Sequence, residues 1–597
     1  MLKVFNFFSG FISSVTVIIF FHYINTLYEL DIYKHKLMQN IPDLKEYDFI
    51  IVGAGSAGSI IAARLSDDGN NVLLVEAGGE AIPFIDIPLL TPLLQKTQID
   101  WQYVTVPQEH ACKSLVNNQS HWPMGKILGG TSRLNNMVYF LGHSLDFNSW
   151  FADYEEPIVD KGGFINLSYL KWNTPLADAV LKGIEEMSLE INNINCNLKA
   201  GFMKVQLTME NGKRWSTDQV LHERYNKTLN IITHAYVTKI LIKSNKAMGI
   251  KFIKSGQAYE ANATKGVILS AGTIGSPKLL MLSGIGPKMH LETLNITVIK
   301  DLPVGQQLVD HILTGIDLVT LNTSLPLSIG NVFNPKAAFE YFFMGQGPWT
   351  SSGIEVVGTF HSSLQNNNLT APDLQIMVMP SGISQDNDLM LRKAMGLSDE
   401  VYKEYFLPLA EKNAISITPV LLHPSSFGEV KLSSSNPFDK PIIDPKYLSN
   451  KKDILTLIDG LQFVKKLIKT RPMIELGASL YKKKFPGCEN QVFDSQEYWE
   501  CYVRHLTLTS YHPAGTCRMG KVVDPFFRVY DVSNLYIVDA SVLPILPSGN
   551  IQAAIIMLAE KAALQLKNVI MELNIPPRSL QICYIFNMCD YNNICVA

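Results

Sequence analysis

Apolar and polar positions follow two distinct rhythms along this chain. Close to the start, Tyr47-Asp48-Phe49-Ile50-Ile51-Val52 is an almost unbroken apolar run of strand length, and Gly53-Ala54-Gly55-Ser56-Ala57-Gly58 follows it directly. Helix formers take over from Ser59 to Asp67, with Ile60, Ile61, Ala63 and Leu65 among them. Gly69-Asn70 ends that pattern before a second apolar run, Val72-Leu73-Leu74-Val75. The unit predicted is strand, glycine turn, helix, strand. Another strand is expected over Gly266-Val267-Ile268-Leu269-Ser270. From about Ile316 to Val503 the rhythm changes to short apolar runs such as Leu374 to Met379 and Ile415 to Val420, which predict an antiparallel sheet, with helical spacing in Ile454 to Lys469. A third pattern stands at the beginning, where Lys3 precedes an apolar stretch from Val4 to about Ile24. It predicts a targeting segment over residues 1–25, and signal peptide and retained membrane anchor both fit its length.

At 597 residues the chain exceeds what one hydrophobic core fills, so at least two packed units are expected. Hydrophobic residues make up 47% and charged residues 18%, the balance of a globular protein. The 51 basic and 54 acidic side chains leave a net charge of −3, which provides no footprint for nucleic acid. Eight cysteines are too scattered for a metal motif, and no metal is expected. They suit an oxidising compartment, and Cys488 and Cys501 flank a polar loop that a disulfide could close. Sequons at Asn118, Asn166, Asn226, Asn262, Asn295, Asn322 and Asn368 would suit a secreted or membrane-tethered glycoprotein.

The glycine turn carries the first chemistry. Gly53 permits the tight turn, Gly55 lets the backbone approach a pyrophosphate, and Gly58 allows the helix to pack closely on the strand. Glu76 follows 18 positions after Gly58, where a carboxylate can accept hydrogen bonds from ribose hydroxyls. The unit alone leaves NAD and FAD both open, since each presents an ADP half to such a turn.

Further motifs narrow that choice. The stretch from Gly125 through Leu128-Gly129-Gly130-Thr131-Ser132 and Asn135-Asn136-Met137-Val138 resembles the first signature of the glucose-methanol-choline oxidoreductases, and Gly272 to Pro287 resembles the second. A third block, Tyr511-His512-Pro513-Ala514-Gly515, Val538-Asp539-Ala540 and Ser548-Gly549-Asn550-Ile551, is similar to the family's C-terminal signature. The resemblance runs from about Tyr47 to Leu566, and phrases such as Ile99-Asp100-Trp101 and Tyr498-Trp499-Glu500-Cys501 bring it closest to the insect glucose dehydrogenase branch. It implies an α/β fold: a Rossmann-like FAD-binding domain assembled from 45–152, 226–313 and 511–566, and a substrate domain from 153–225 and 314–510 built on an antiparallel sheet with flanking helices.

The same resemblance implies FAD as cofactor and carries over its site residues. His512 and Asn550 become the catalytic pair. Gly53, Gly55, Ser56, Ala57, Gly58, Glu76, Ala77, Trp101, Gly125, Leu128, Gly129, Thr131, Asn135, Asn136, Met137, Val138, Val237, Ala271, Gly272, Asp539, Ala540, Asn550 and Ile551 become cofactor contacts. The expected reaction is oxidation of the CH–OH group of a small alcohol or sugar, with electrons passed to a quinone-type acceptor or oxygen. A neutral imidazole suits the proton and an amide N–H suits the developing alkoxide. The competing class, a secreted protein of this fold with little turnover, would more naturally have lost one of the two side chains. Histidines outside this motif read as ordinary core or solvated groups.

Three departures from the branch stand out. Met124 occupies a position usually held by arginine, and Ser120 stands where relatives often carry a cysteine, which would leave Cys112 without its usual partner. The tail 576–597, with Cys583, Cys589 and Cys595, lies outside the resemblance.

Overall fold

The computed structural model describes residues 46–81, 83–150, 164–221, 228–327, 332–365, 370–385 and 391–570. The apolar N-terminal stretch, the tail cysteines and the sequons Asn226 and Asn368 lie outside them. Among the described residues no helix is long and apolar enough to cross a membrane.

Two large sheets organise the molecule. In the first, the strand Tyr47–Val52 pairs in parallel with Val72–Val75 on one side and with the end of Gln257–Leu269 on the other. Leu229–Ile232 and Leu535–Ile537 extend this parallel core at its two edges. Residues Ile50, Ile51, Leu73, Leu74, Val267 and Ile268 are all buried, as expected of parallel strands covered on both faces, and this explains their unbroken apolar run. One cover is the helix Ser56–Asp67, which packs on the C-terminal helix Gln552–Ile570. Arg64 and Glu560 fix that contact with a two-pronged ion pair at 2.7 and 2.9 Å.

The second sheet is antiparallel, with strands in the order Ser479–Leu480, Val319–Leu321, Asn413–Leu421, Leu374–Met379, Val356–Phe360, Gly201–Lys204. Ile312–Leu313 and Leu508–Thr509 pair with each other, and Ile312–Leu313 also joins the end of Asn413–Leu421. Ile312–Leu313, the end of the segment 226–313 assigned to the cofactor fold, therefore belongs to the second sheet. Alternation along Leu374–Met379 sends Ile376 and Val378 into one apolar cluster, under the helix Lys451–Leu467, and Met377 into another. This strand matters below, because its second face looks toward the cleft between the sheets.

Cys488 and Cys501 form a disulfide. Cys112 and Cys517 are free and buried, so Cys112 does lack a disulfide partner. Cys196 is also disulfide-bonded.

Candidate active site

A cleft between the two sheets is lined by all three signature regions. The glycine turn forms its floor. The Cα of Gly55 lies so close to Gly130 that a Cβ on Gly130 would meet it at 2.6 Å, so two backbones press together where side chains would block the cleft. Gly53, at φ +97°, has no room for a Cβ against the Ser270 carbonyl. The helix Ser56–Asp67 begins here with no side-chain cap and no acid in its first turn. Its free N–H groups are left to an anion, the arrangement a pyrophosphate requires.

Most of the cofactor contacts expected from the sequence line this cleft. They are Gly53, Gly55, Ser56, Ala57, Glu76, Ala77, Trp101, Gly125, Thr131, Asn135, Asn136, Met137, Val138, Val237, Ala271, Gly272, Asp539, Ala540, Asn550 and Ile551. Three expected contacts do not line it. Gly58 is packed inside the turn, where a Cβ would sit 1.9 Å from the Gly53 carbonyl oxygen. Leu128 is buried in the core of the first sheet. Gly129 donates its N–H to Ala54 O at 2.8 Å and turns toward Asp218, 2.4 Å from where its Cβ would be. All three shape the cradle from behind.

The carboxylates in the cleft hold backbone first. Glu76 accepts from Ala54 N at 2.9 Å and Gly78 N at 2.8 Å, and burial pushes its carboxyl up to about 6. Asp539 accepts from Gly272 N, Ser276 Oγ and Ser541 N, which clamps the second signature to the third. Asn135 donates to Gln552 Oε1 at 2.7 Å and accepts from Met137 N. Behind it lies a buried cation without local sequence signal. Arg214 donates to Ile85 O, Ser132 O, Asn135 O, Asn135 Oδ1 and Thr91 Oγ1, and burial lowers its guanidinium to about 9. One aromatic wall completes the cleft, with Trp101 stacked on Tyr103 and edge-on to Tyr236, each at 6.0 Å.

His512 and Asn550 meet at one end of the cleft, with Asn550 Nδ2 3.2 Å from His512 Nε2. Gln375 Nε2 donates to Asn550 Oδ1 at 3.3 Å, and this contact assigns the amide orientation. Asn550 Nδ2 then faces His512 as a donor, so His512 Nε2 carries a lone pair and the proton sits on Nδ1. There it meets His311, Nδ1 to Nδ1 at 3.0 Å. By this chain His311 accepts at Nδ1 and holds its own proton on Nε2, facing the carbonyls of Leu422 and Pro547, although neither completes a hydrogen bond. Burial lowers the His512 imidazole to about 3 and holds His311 well below its ordinary value, so both rings are neutral.

The loop carrying His512 is anchored by a buried carboxylate that the sequence did not single out. Asp310 accepts from His512 N at 2.9 Å, from Thr509 Oγ1 at 2.7 Å and from Tyr447 Oη. Burial pushes its carboxyl up to about 7.

Known proteins resemble this chain over most of its length. The GMC oxidoreductase family pattern matches residues 47–313 and 424–559. Glucose dehydrogenase [FAD, quinone] of Drosophila melanogaster is 33% identical, over 87% of each chain. Alcohol dehydrogenase [acceptor] of Pseudomonas putida is 34% identical, over 87% of this chain and 95% of that one. Among solved structures, formate oxidase of Aspergillus oryzae superposes with a TM-score of 0.74 at 25% identity, covering 88% of this chain and 99% of the other. With a two-sheet fold, a glycine-floored cleft and a histidine–asparagine pair at its end, the chain belongs to the GMC oxidoreductase family.

Proposed function

We propose that His512 is the general base and Asn550 its oxygen-binding partner in an FAD-dependent oxidation of a CH–OH group. The single observation that carries this reading is the directed contact chain Gln375, Asn550, His512, His311 at the end of a dinucleotide cleft. FAD would be held by the turn Gly53 to Ala57 at its pyrophosphate, by Glu76 and Val237 at the adenosine end, and by Gly130 to Val138 with Asp539 and Ala540 elsewhere. When bound, FAD supplies the hydride acceptor.

The chain's own residues do the rest. The Nε2 lone pair of His512 accepts the hydroxyl proton of an alcohol lodged between it and Asn550. Asn550 Nδ2 then donates to the oxygen as negative charge grows there. His311 Nδ1 accepts the Nδ1 proton of His512, which keeps the imidazole oriented and steadies it once charged, the part a carboxylate plays in hydrolase triads. Water has little access, because His512, His311 and Asp310 are all buried.

The segments 45–152, 226–313 and 511–566 as cofactor domain, and 153–225 with 314–510 as substrate domain, are part of this reading. The parallel and antiparallel sheets, drawn from those segments apart from Ile312–Leu313, support it. Electrons would leave to a quinone-type acceptor or oxygen. We infer a secreted or membrane-tethered location from the apolar segment 4–24, the Cys488–Cys501 disulfide and the exposure of Asn118, Asn166, Asn262, Asn295 and Asn322. The test of function is purified protein with FAD, mixed anaerobically with a panel of alcohols. Bleaching of the flavin absorbance supports the reading, and protein that binds no flavin ends it.

A further inference from the structure

The cleft that holds the catalytic pair has a largely apolar share of its lining on the side of the antiparallel sheet. Gln375, whose amide holds Asn550, shares a strand face with Met377 and Met379, two and four residues on. Both methionines line the cleft, and Leu313, Ile316, Ile354 and Met395 extend this apolar lining. No charged side chain stands among these six. Uncharged polar residues share the cleft lining, among them Tyr103, Asn136, Ser510 and Tyr511, with Thr509, whose hydroxyl is spent on Asp310, and Gln95, whose Oε1 is buried and finds no partner among the described residues. Met124 also lines the cleft, in place of the arginine common in the branch.

We infer that the substrate is a hydrophobic alcohol, its reacting CH–OH group carried on an apolar skeleton that the methionine-lined wall covers, rather than a sugar or other polyol. This rests on the hydride-transfer reading of the same site. A polyol would bury several hydroxyls against Leu, Ile and Met side chains, and each unpaired hydroxyl costs about tenfold or more in affinity. An alkyl chain instead gains about fourfold for each buried methylene. Methionine suits such a wall because its unbranched, polarizable side chain adapts to skeletons of different shape.

The experiment uses the FAD-loaded full chain and a series of straight primary alcohols from propanol to octanol, with glucose, glycerol and choline alongside. Anaerobic flavin reduction is expected to gain about two- to fourfold in kcat/KM for each added methylene, until the cavity is filled. Octanol should exceed glucose by ~100-fold or more. A second readout needs no turnover: 2-octanone should perturb the flavin spectrum at concentrations at least tenfold below those needed with δ-gluconolactone. Met377→Asn should lower octanol kcat/KM ~10-fold through KM, with the flavin spectrum unchanged. A flat chain-length series, with glucose equal to or better than octanol, overturns the substrate class and leaves the hydride reading standing. Flavin that no alcohol bleaches, although dithionite does, overturns both.

Discussion

The Nδ1 atoms of His311 and His512 lie 3.0 Å apart, with the two rings 88° from parallel. One imidazole therefore presents an N–H edge to the lone pair of the other. Because Asn550 donates to the opposite nitrogen of His512, the shared proton belongs to His512 and the acceptor is His311. His512 is thereby held in the tautomer whose Nε2 lone pair is open to a proton.

Removing the proposed base should have the largest effect. His512→Ala is expected to lower the rate of flavin reduction ~10²–10⁴-fold with FAD content unchanged, measured by anaerobic stopped-flow absorbance. Asn550→Ala should cost ~10²–10³-fold in the same measurement, the scale of a lost oxyanion donor. Full activity in either variant would contradict the assignment.

His311 contacts His512 and does not line the cleft, so its replacement tests positioning of the proposed base. His311→Ala should lower kcat by ~10²-fold while KM changes little, because the second tautomer of His512, with its proton on Nε2, becomes available. A change in the pH profile of kcat must accompany the loss. An unaltered profile with reduced protein stability would assign His311 to the core alone.

The low pKa of His512 sets a pH dependence of stability with a definite sign. Its imidazole ionises at about 3 in the folded chain, against an ordinary value of 6.5. Between those values the unfolded chain binds a proton that the folded chain refuses. The stabilising contribution of the neutral ring is therefore complete above pH 6.5 and is lost as pH falls toward 3, by up to roughly tenfold in the folding constant per pH unit. Asp310, pushed up to about 7, works in the opposite sense and is common to wild type and His512→Gln. Denaturant titrations of both proteins at pH 7 and 4.5 isolate the histidine: wild type should lose stability on acidification relative to the variant.

Arg214 is buried with five hydrogen bonds and no carboxylate among their acceptors. Arg214→Met fills similar space but leaves those acceptors unpaired, so a loss of at least about 3 kcal/mol is expected. The loop Ser132 to Asn135 should loosen with it, and FAD content after purification should fall.

The Cys488–Cys501 bond closes a loop with a sequence separation of 13. Replacing both residues with serine should cost about 3 kcal/mol in the unfolding free energy while leaving the flavin spectrum of the folded protein intact. Equal midpoints for wild type and double variant in urea would show that the bond constrains nothing.

The first strand, glycine turn and helix were legible because they are written locally. A parallel strand buried on both faces must be apolar throughout, and a turn that admits a pyrophosphate must be glycine, so Tyr47 to Val75 announces itself. His512 was legible only through its flanking motif. His311, Asp310 and Arg214 were not, since their importance comes from meeting partners far along the chain: His311 and His512 are 201 residues apart. Gly58, Leu128 and Gly129 show the converse limit. They belong to the motifs, yet they support the cradle and do not line it, and a motif does not distinguish a residue that touches a ligand from one that shapes what does. The apolar part of the cleft lining was equally hidden, because Leu313, Ile354, Met377 and Met395 look like core residues in sequence, and nothing in their own patterns says that they border a cleft.

The parallel sheet takes two inner strands from residues 47–75 and one edge from Leu535–Ile537, with the whole antiparallel sheet inserted between them. During synthesis the glycine turn emerges hundreds of residues before the segment bearing His512 and the last edge strand. A nascent chain must therefore keep an unfinished sheet edge shielded while most of its length is still being made. Proteolysis that trims the region beyond residue 510 would remove His512, Asn550 and that edge in a single cut.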